Sequence, residues 1–229
     1  GMQSRNGGFA AFNIDNTCHY LNEIPFADHG ALIDPPTSDV TARCVGFLGK
    51  YGKSHHQHAV LRGISYLLRE QESNGAWFGR WGTNYIYGTW SVLEAFRLVK
   101  FDMQHKSVRR AVQWLESVQR ADGGWGETND SYLDTQLAGK FPETSTAFQT
   151  AWAVLGLMAA GEVNSESVRR GINYLLRNQS NDHLWEEPWF TAPGFPRVFY
   201  LRYHGYSKFF PLWALARYRA LTRTVAACL

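Results

Sequence analysis

The side chains of this 229-residue chain that could do chemistry are mostly aromatic rings, because the groups able to bind a metal or act as a nucleophile are few. His55, His56 and His58 lie close together, but they fall at the start of a solvent-facing helix and lack the supporting pattern of a zinc site. The cysteines are odd in number, far apart and form no C-x-x-C pair: Cys18, Cys44 and Cys228. We therefore expect reduced thiols in a cytosolic compartment and no functional metal.

The aromatic content is the unusual feature of the composition. The chain has 14 Phe, 11 Tyr and 9 Trp, or 15% of all residues, against 19% charged residues. Hydrophobic residues reach 45%, which is ample for a sizeable core and excludes a disordered chain. Several of the rings lie in an irregular segment, PWFTAPGFPRVFY, at residues 188–200.

Charge and hydropathy exclude two classes of partner. A net charge of +3, with no run of five like charges, is too mild to indicate nucleic-acid binding. The longest strongly apolar run, at residues 151–161, is much shorter than the roughly 20 residues that a membrane-spanning helix needs. Peripheral contact with a membrane stays open.

A short phrase recurs four times along the chain: a Gln, a polar stretch, a Gly and then an aromatic residue. The copies lie at unequal intervals, at residues 3–9, 71–77, 119–125 and 179–185, and the last lacks its Gly. We expect the Gly to end a helix in a left-handed cap and the Gln amide to bond the backbone of a neighbouring repeat. The Trp ring should stack over that junction, so that Gln and Trp are structural residues.

The hydrophobic pattern predicts an all-α fold. Apolar residues spaced i, i+3, i+4 and i+7 indicate amphipathic surface helices at 56–71, 106–119 and 165–179. Between them lie segments that are apolar on most sides and should be buried: 39–48, 86–100, 146–160 and 208–222. This alternation predicts an α/α barrel (toroid) of helical hairpins. The first copy of the repeat has no room before it for an outer helix, so we expect the barrel to be incomplete and the chain to be a fragment.

The repeat R-[GA]-x-x-[YW]-[LI]-x-x-x-Q-x-x-x-G-x-W, at residues 62–77 and 110–125 and degenerate at 170–185, resembles the QW motif of the triterpene cyclases. Five segments in order resemble the C-terminal part of bacterial squalene-hopene cyclases: MQSRNGGFAAF, IPFADHG, DPPTSDVTAR, GAWFGRWGTNYIYGT and GFPRVFYLRY. The resemblance covers essentially the whole chain from Met2. It implies that residues 1–229 are the C-terminal part of an α/α-barrel catalytic domain, in an enzyme that attaches peripherally to the cytoplasmic face of the membrane.

That family converts squalene, or a similar linear triterpene, into a pentacyclic product such as hopene or hopanol, without a cofactor. A polyene is protonated at one end and closes ring by ring through carbocations. Aromatic faces stabilise a cation by about 0.5–2 kcal/mol each and donate no covalent bond to it. The pocket must also exclude water. The resemblance therefore gives the aromatic excess a purpose.

The resemblance also assigns individual rings. Trp81 and Tyr87, in GRWGTNYIYG, match pocket residues near the initiating end, whereas Phe12 matches a cavity aromatic and Phe26 one at the constriction of the substrate channel. Four residues match aromatics along the part of the cavity where later cations form: Phe195, Phe199, Tyr203 and Tyr206. Each ring has an alternative interpretation as ordinary core, although the Gly and Pro of GFPRVF favour the pocket for the two phenylalanines.

The general acid of that family is an Asp in a D-x-D-D motif, and the motif does not occur in this sequence. The nearest look-alike is NIDN, at residues 13–16, which has amides where carboxylates are required. Asp39 matches a residue that supports the acid. Four residues later, where some members have a His paired to the acid, stands Arg43, which would supply the positive charge. Asp39 is alternatively the N-cap of the following helix.

Two other classes of protein remain as alternatives. A protein prenyltransferase β-subunit shares the toroid but needs a D-x-C zinc pair that is absent from this sequence. A non-catalytic helical-repeat scaffold would explain the periodicity but not the rings in irregular segments. We expect the chain to be catalytically silent by itself, because it lacks the acid, and to form homo-oligomers through exposed apolar surface.

Overall fold

The computed structural model describes residues 1–27, 31–140 and 144–226. The described residues form seven α-helices: α1 Ser38–Tyr51, α2 Gln57–Arg69, α3 Tyr85–Leu98, α4 Lys106–Ser117, α5 Ala147–Ala159, α6 Glu166–Arg177 and α7 Tyr206–Ala226. A short 3₁₀ turn precedes α1 at His19–Asn22, and three more lie between the described helices, at Ser54–His56, Asn129–Tyr132 and Thr135–Leu137. The prediction of a mostly helical fold is confirmed. Cys228 lies outside the described residues, whereas Cys18 and Cys44 are free thiols.

Within the described residues, a small β-hairpin forms in the aromatic segment that was expected to be irregular. Strand β1 Ala192–Phe195 pairs antiparallel with β2 Phe199–Leu201, and Phe195 lies opposite Phe199 in the register. Pro193 lies in β1 and Pro196 directly follows it. Because proline has no main-chain N–H to donate, the two strands form only a short ladder of hydrogen bonds. The hairpin fixes two rings that the sequence had placed in a loop.

The helices form two layers. The inner helices α1, α3, α5 and α7 pack side by side in chain order, while α2 covers α1, α6 covers α5, and α4 contacts both α3 and α5. All of α5 and most of α3 are buried, because these helices are apolar on every side. The arrangement is that of an incomplete α/α toroid.

The expectation of complete burial is wrong for the two end helices of the row. Phe47 of α1 is 62% exposed and Phe209 of α7 is 71% exposed. Each of these helices has an inner neighbour on only one side among the described residues. Arg217 of α7 reaches back to α3, where it donates to Glu94 over 2.8 Å. No helix of the described chain is long and apolar enough to cross a membrane.

The recurring Gln joins consecutive outer helices, as predicted. Gln71 donates its two amide hydrogens to the carbonyl of Gly75 in its own turn and to that of Ser107 in the first turn of α4, both over 2.8 Å. Gln119 repeats this pattern with Gly123 and with Ser167 of α6, at 2.9 Å. One side chain therefore closes its own turn and ties it to the next repeat.

The recurring Trp binds back to its own repeat. The indole N–H groups of Trp77, Trp125 and Trp185 each donate to the carbonyl ten residues earlier, near the end of the preceding outer helix, at 2.6–2.9 Å. The main-chain N–H of Trp77 donates to the Thr89 hydroxyl on the next inner helix, and that of Trp125 donates to Thr150. The turns of Trp77 and Trp125 thus each link an outer helix to the inner helix that follows.

The expected role of the glycine is wrong. Helix α2 ends at Arg69, six residues before Gly75, so Gly75 is not a helix cap. Its φ of +99° belongs to the following turn, and a Cβ at this position would lie 2.7 Å from the carbonyl oxygen of Arg110. Gly123 has the same relation to Arg170, at 2.8 Å, with φ +90°. Glycine is required because the backbone of the next outer helix lies against its α-carbon.

This contact generates a prediction with a matched control. Gly161 has a similar φ of +91°, but nothing lies within 4 Å of a Cβ built there. Gly161→Ala should therefore lower the free energy of unfolding by about 1–2 kcal/mol, from backbone strain alone. Gly123→Ala should lose roughly twice as much, because it adds a clash with the Arg170 carbonyl. Urea unfolding of both variants measures the two free energies. If both variants lose the same stability, the close contact between Gly123 and the Arg170 carbonyl does not matter for stability.

Candidate active site at the amino ends of the inner helices

The amino-terminal halves of three inner helices bring aromatic rings together in one cluster. Trp90 of α3 stacks on Trp152 of α5, with ring centroids 6.0 Å apart and planes 6° apart. Five further rings pack around this pair: Tyr87, Phe148, Tyr206, Phe210 and Trp213. The spacing of three or four residues along each helix puts these rings on one face. We call these seven residues the aromatic cluster.

The two central tryptophans differ from the structural ones in their hydrogen bonding. Trp90 and Trp152 are fully buried, yet neither indole N–H has an acceptor among the described residues. An unmet buried donor costs about 1–3 kcal/mol, so such groups are rare in a folded core. The N–H of Trp81, nearer the loop, is in the same state. Unmet donors therefore distinguish Trp81, Trp90 and Trp152 from the tryptophans of the repeat turns.

Arg43 of α1 lies against the cluster. Its guanidinium carbon is 4.4 Å from the Trp90 ring centroid and 5.8 Å from that of Tyr87. Burial raises the pKa of the Tyr87 phenol, and the charge and hydrogen bond of Arg43 oppose that rise. The geometry shows that the face of Trp90 accepts a cation. No hydrogen bond joins Arg43 to Asp39 within the described residues, although the sequence suggested a shared role.

Asp39 is fully buried and holds the neighbouring loop. Its carboxylate accepts the Thr37 hydroxyl at 2.6 Å and the main-chain N–H groups of Arg80 and Trp81 at 3.1 and 2.9 Å. The N-cap interpretation is wrong, because Thr37 occupies that position and Asp39 is the second residue of α1. From the other side, the Tyr132 hydroxyl donates to the carbonyls of Gly79 and Gly82. The loop that carries Trp81 is therefore fixed from two directions.

The structure places the other predicted residues in four different positions. Phe12 is 63% exposed and meets the edge of Trp81 at 6.4 Å. Phe195 and Phe199 contact each other across the hairpin at 5.4 Å. Tyr203 touches Tyr206 at 5.2 Å and so joins the cluster at its rim. Phe26 is 83% exposed, so the described residues do not bring it to the cluster.

The residues at the centre of the aromatic cluster were not predicted from the sequence. Trp90, Trp152 and Phe210 fall in segments that are apolar throughout, where periodicity gives no contrast between core and cavity. A usable signal was present in their spacing. Trp90 follows Tyr87 by one turn, and Phe210 follows Tyr206 by one turn, so an assigned tyrosine marks the face on which each lies.

A cleft of about 570 Å³ opens beside the cluster, lined by Phe148, Glu187, Phe190, Arg202, Tyr203 and Tyr206 among others. Glu187 is largely buried, and its carboxylate accepts the main-chain N–H groups of Ala147 and Phe148 at the amino end of α5. Burial raises the pKa of Glu187 to about 7, against the opposing effect of those two donors. Within the described residues, no three His, Cys, Asp or Glu side chains are grouped to hold a metal ion.

Comparison with known sequences gives close relatives. Residues 1–220 match the squalene-hopene cyclase C-terminal domain. The chain is 57% identical over 223 residues to a squalene–hopene cyclase of Zymomonas mobilis, covering 97% of this chain and 34% of the relative. It is 46% identical over 219 residues to a squalene–hopene cyclase of Alicyclobacillus acidocaldarius, covering 96% and 34%. The chain thus spans about a third of the length of these relatives.

Solved structures share the fold at low sequence identity. An ent-copalyl diphosphate synthase from Streptomyces platensis superposes with a TM-score of 0.60 at 19% identity, over 94% of this chain and 35% of the other. The type II terpene cyclase MstE from Scytonema gives a TM-score of 0.55 at 20% identity, over 86% and 51%. Both likenesses support the toroidal arrangement.

Glu187 generates a prediction about pH. An acid whose pKa is higher in the folded state than in the unfolded chain stabilises the fold at low pH and loses that effect as pH rises through about 7. The chain should therefore be more stable at pH 5 than at pH 8, with Glu187 contributing up to roughly 3 kcal/mol. Glu187→Gln should flatten the pH profile of urea unfolding. If the variant keeps the wild-type slope between these pH values, Glu187 is not responsible.

Proposed function

The chain belongs to the squalene-hopene cyclase family, and from this we propose that it supplies the aromatic part of a site that cyclises squalene to a pentacyclic triterpene. We propose further that residues 1–229 are the C-terminal part of the α/α-barrel catalytic domain, with hopene or hopanol as the product. The observation that carries the proposal is the aromatic cluster with its stacked, unmet indoles.

The chemistry suits a cation that moves through a dry cavity. Rings that present a face stabilise a passing carbocation by about 0.5–2 kcal/mol each, and none of them can trap it covalently. Arg43 over Trp90 supports this use of the ring face, because a cation already lies there. Tyr87, Tyr203 and Tyr206 add faces around the same centre. We propose that Phe195 and Phe199, paired on the hairpin, serve cations formed later in the cascade.

Initiation is proposed at the Asp39 end. Asp39 and Trp81 form one hydrogen-bonded unit next to Phe12, and a general acid brought here would face a buried carboxylate and an aromatic ring. The D-x-D-D acid is not among the residues of this chain, so protonation is assigned to the remainder of the protein. Arg43 then serves the cluster electrostatically through Tyr87 and Trp90. Phe26 remains a proposed channel residue.

Contacts outside the pocket are also proposed. Large apolar side chains are exposed on the two end helices, at Phe47, Tyr51, Phe209, Leu212 and Trp213. Exposed surface of this kind favours burial against protein, hence self-association of the isolated chain into homo-oligomers. Peripheral attachment to the cytoplasmic face of the membrane is proposed for the longer enzyme.

A chimera tests the function directly. The C-terminal third of the Zymomonas mobilis relative is replaced by this chain, and squalene conversion is followed by gas chromatography and mass spectrometry. We expect pentacyclic product from the chimera and none from this chain alone, because only the chimera contains the acid. An active isolated chain, or a folded chimera that converts no squalene, would contradict the proposal.

Two variants in the chimera separate the proposed roles. Asp39→Asn should lower kcat at least roughly tenfold, since acid–base groups contribute about 10²–10⁴-fold and Asp39 acts in support of one. Phe199→Ala should release partly cyclised products, because a later cation loses a stabilising face. Glu116→Gln, on the exposed side of outer helix α4, is the control and should change neither rate nor products. A normal product profile from Phe199→Ala would remove that ring from the cavity.

A further inference from the structure

A buried carboxylate holds the amino end of the helix that carries Tyr87 and Trp90. Glu127, only 3% exposed, accepts the main-chain N–H groups of Asn84 and Ile86 on one oxygen, at 3.2 and 3.0 Å. Its other oxygen accepts the N–H of Tyr85 at 3.2 Å. Three consecutive main-chain donors at a helix N-terminus favour the charged carboxylate, but burial has the larger effect and raises the pKa of Glu127.

The main chain of the same residue is bonded to the neighbouring inner helix. Gln149 of α5 accepts the N–H of Glu127 at 3.0 Å and donates to the Glu127 carbonyl at 3.0 Å. The Thr146 hydroxyl, at the N-cap of α5, donates to the same Gln149 oxygen at 2.9 Å. Residue 127 therefore bonds α3 through its side chain and α5 through its backbone.

Both bonded turns lie directly before the stacked indoles. Ile86 precedes Tyr87 and is one turn from Trp90, and Gln149 is three residues from Trp152. The two indoles make no hydrogen bonds that could fix their own positions within the described residues. Because packing alone tolerates sliding between apolar helices, the relative height of α3 and α5 needs polar contacts to define it.

We propose that Glu127 and Gln149 are positioning residues that set the register of α3 against α5 and thereby stack Trp90 on Trp152. Neither touches the cluster face; they act through the helix ends. Their importance for catalysis rests on the proposed function, whereas their effect on the stack does not.

The equivalent positions in other repeats support a recurring device. Glu187, two residues after Trp185, binds the amino end of α5 as Glu127, two residues after Trp125, binds that of α3. Two residues after Trp77 the chain has Gly79, which has no side chain to offer. At the α1 end of the row of inner helices the carboxylate belongs to Asp39 of α1, which accepts the main-chain N–H of Trp81. The carboxylates in the later repeats thus hold helix ends, whereas the Asp39 carboxylate holds the loop that carries Trp81.

The test uses ¹⁹F NMR of the full chain grown with 5-fluorotryptophan, with resonances assigned by Trp→Phe variants. Glu127→Gln keeps the size of the side chain but replaces one acceptor oxygen with a donor. We expect it to shift the Trp90 and Trp152 resonances together and to leave Trp185, in the last repeat, unmoved. Gln149→Met keeps the volume but removes the bonds of Gln149 to residue 127, to the Thr146 hydroxyl and to the Thr83 carbonyl. It should shift the same two resonances if Glu127→Gln fails to fold.

A stability control separates positioning from a merely structural effect. Ile172→Ala, in the buried stripe of outer helix α6, should lower stability by about 2–4 kcal/mol without moving the Trp90 and Trp152 resonances. Unchanged resonances in folded Glu127→Gln or Gln149→Met, or equal shifts in Ile172→Ala, would overturn the inference. Shifted resonances with unchanged products from the corresponding chimera would uphold it and count against the proposed function.

Discussion

The structure depends on how the repeat turns satisfy main-chain groups that belong to other helices. One glutamine amide offers two hydrogens, and each full copy uses one for its own turn and the other for the first turn of the next outer helix. The glycine beside it allows that helix to approach closely, and the tryptophan returns a bond to the helix before. The outer helices are therefore joined by hydrogen bonds between neighbouring repeats, and these bonds hold the inner helices in fixed positions.

This division of labour explains why one residue type serves two purposes. The turn tryptophans donate to carbonyls and behave as parts of a hydrogen-bonded frame. The indole N–H groups of Trp90 and Trp152 have no acceptor among the described residues. The free energy that these unmet donors cost is offset by hydrogen bonds and packing in the rest of the fold. The hydrogen bonds of Glu127 and Gln149 lie at the amino ends of the helices that carry these two tryptophans. The rings of the aromatic cluster are thereby kept apart from the polar groups at the helix ends.

The sequence predicts the helices well and the site only partly. The outer helix predicted at 56–71 is observed at Gln57–Arg69, and the inner helix predicted at 86–100 is observed at Tyr85–Leu98. The first has a clear helical period of apolar residues and the second is apolar on all sides, and both patterns are strong signals. The role of Gly75 was wrong, since no sequence pattern reveals that the Arg110 carbonyl lies against it. Tyr87 and Tyr206 came from family resemblance, and their neighbours Trp90 and Phe210 were missed inside uniformly apolar segments. The hairpin was hidden by its own prolines and glycine.

The fourth copy of the turn departs from the others in a way that gives the array a direction. His183 takes the place of glycine at φ +61°, and Gln179 donates only to that residue, at 3.2 Å, within the described chain. A β-carbon in the left-handed region and a single exposed bond make this the loosest of the four turns. Opening of a linear array begins where nearest-neighbour coupling is weakest. Local opening should therefore begin at α6, the outer helix that covers α5 and its Trp152.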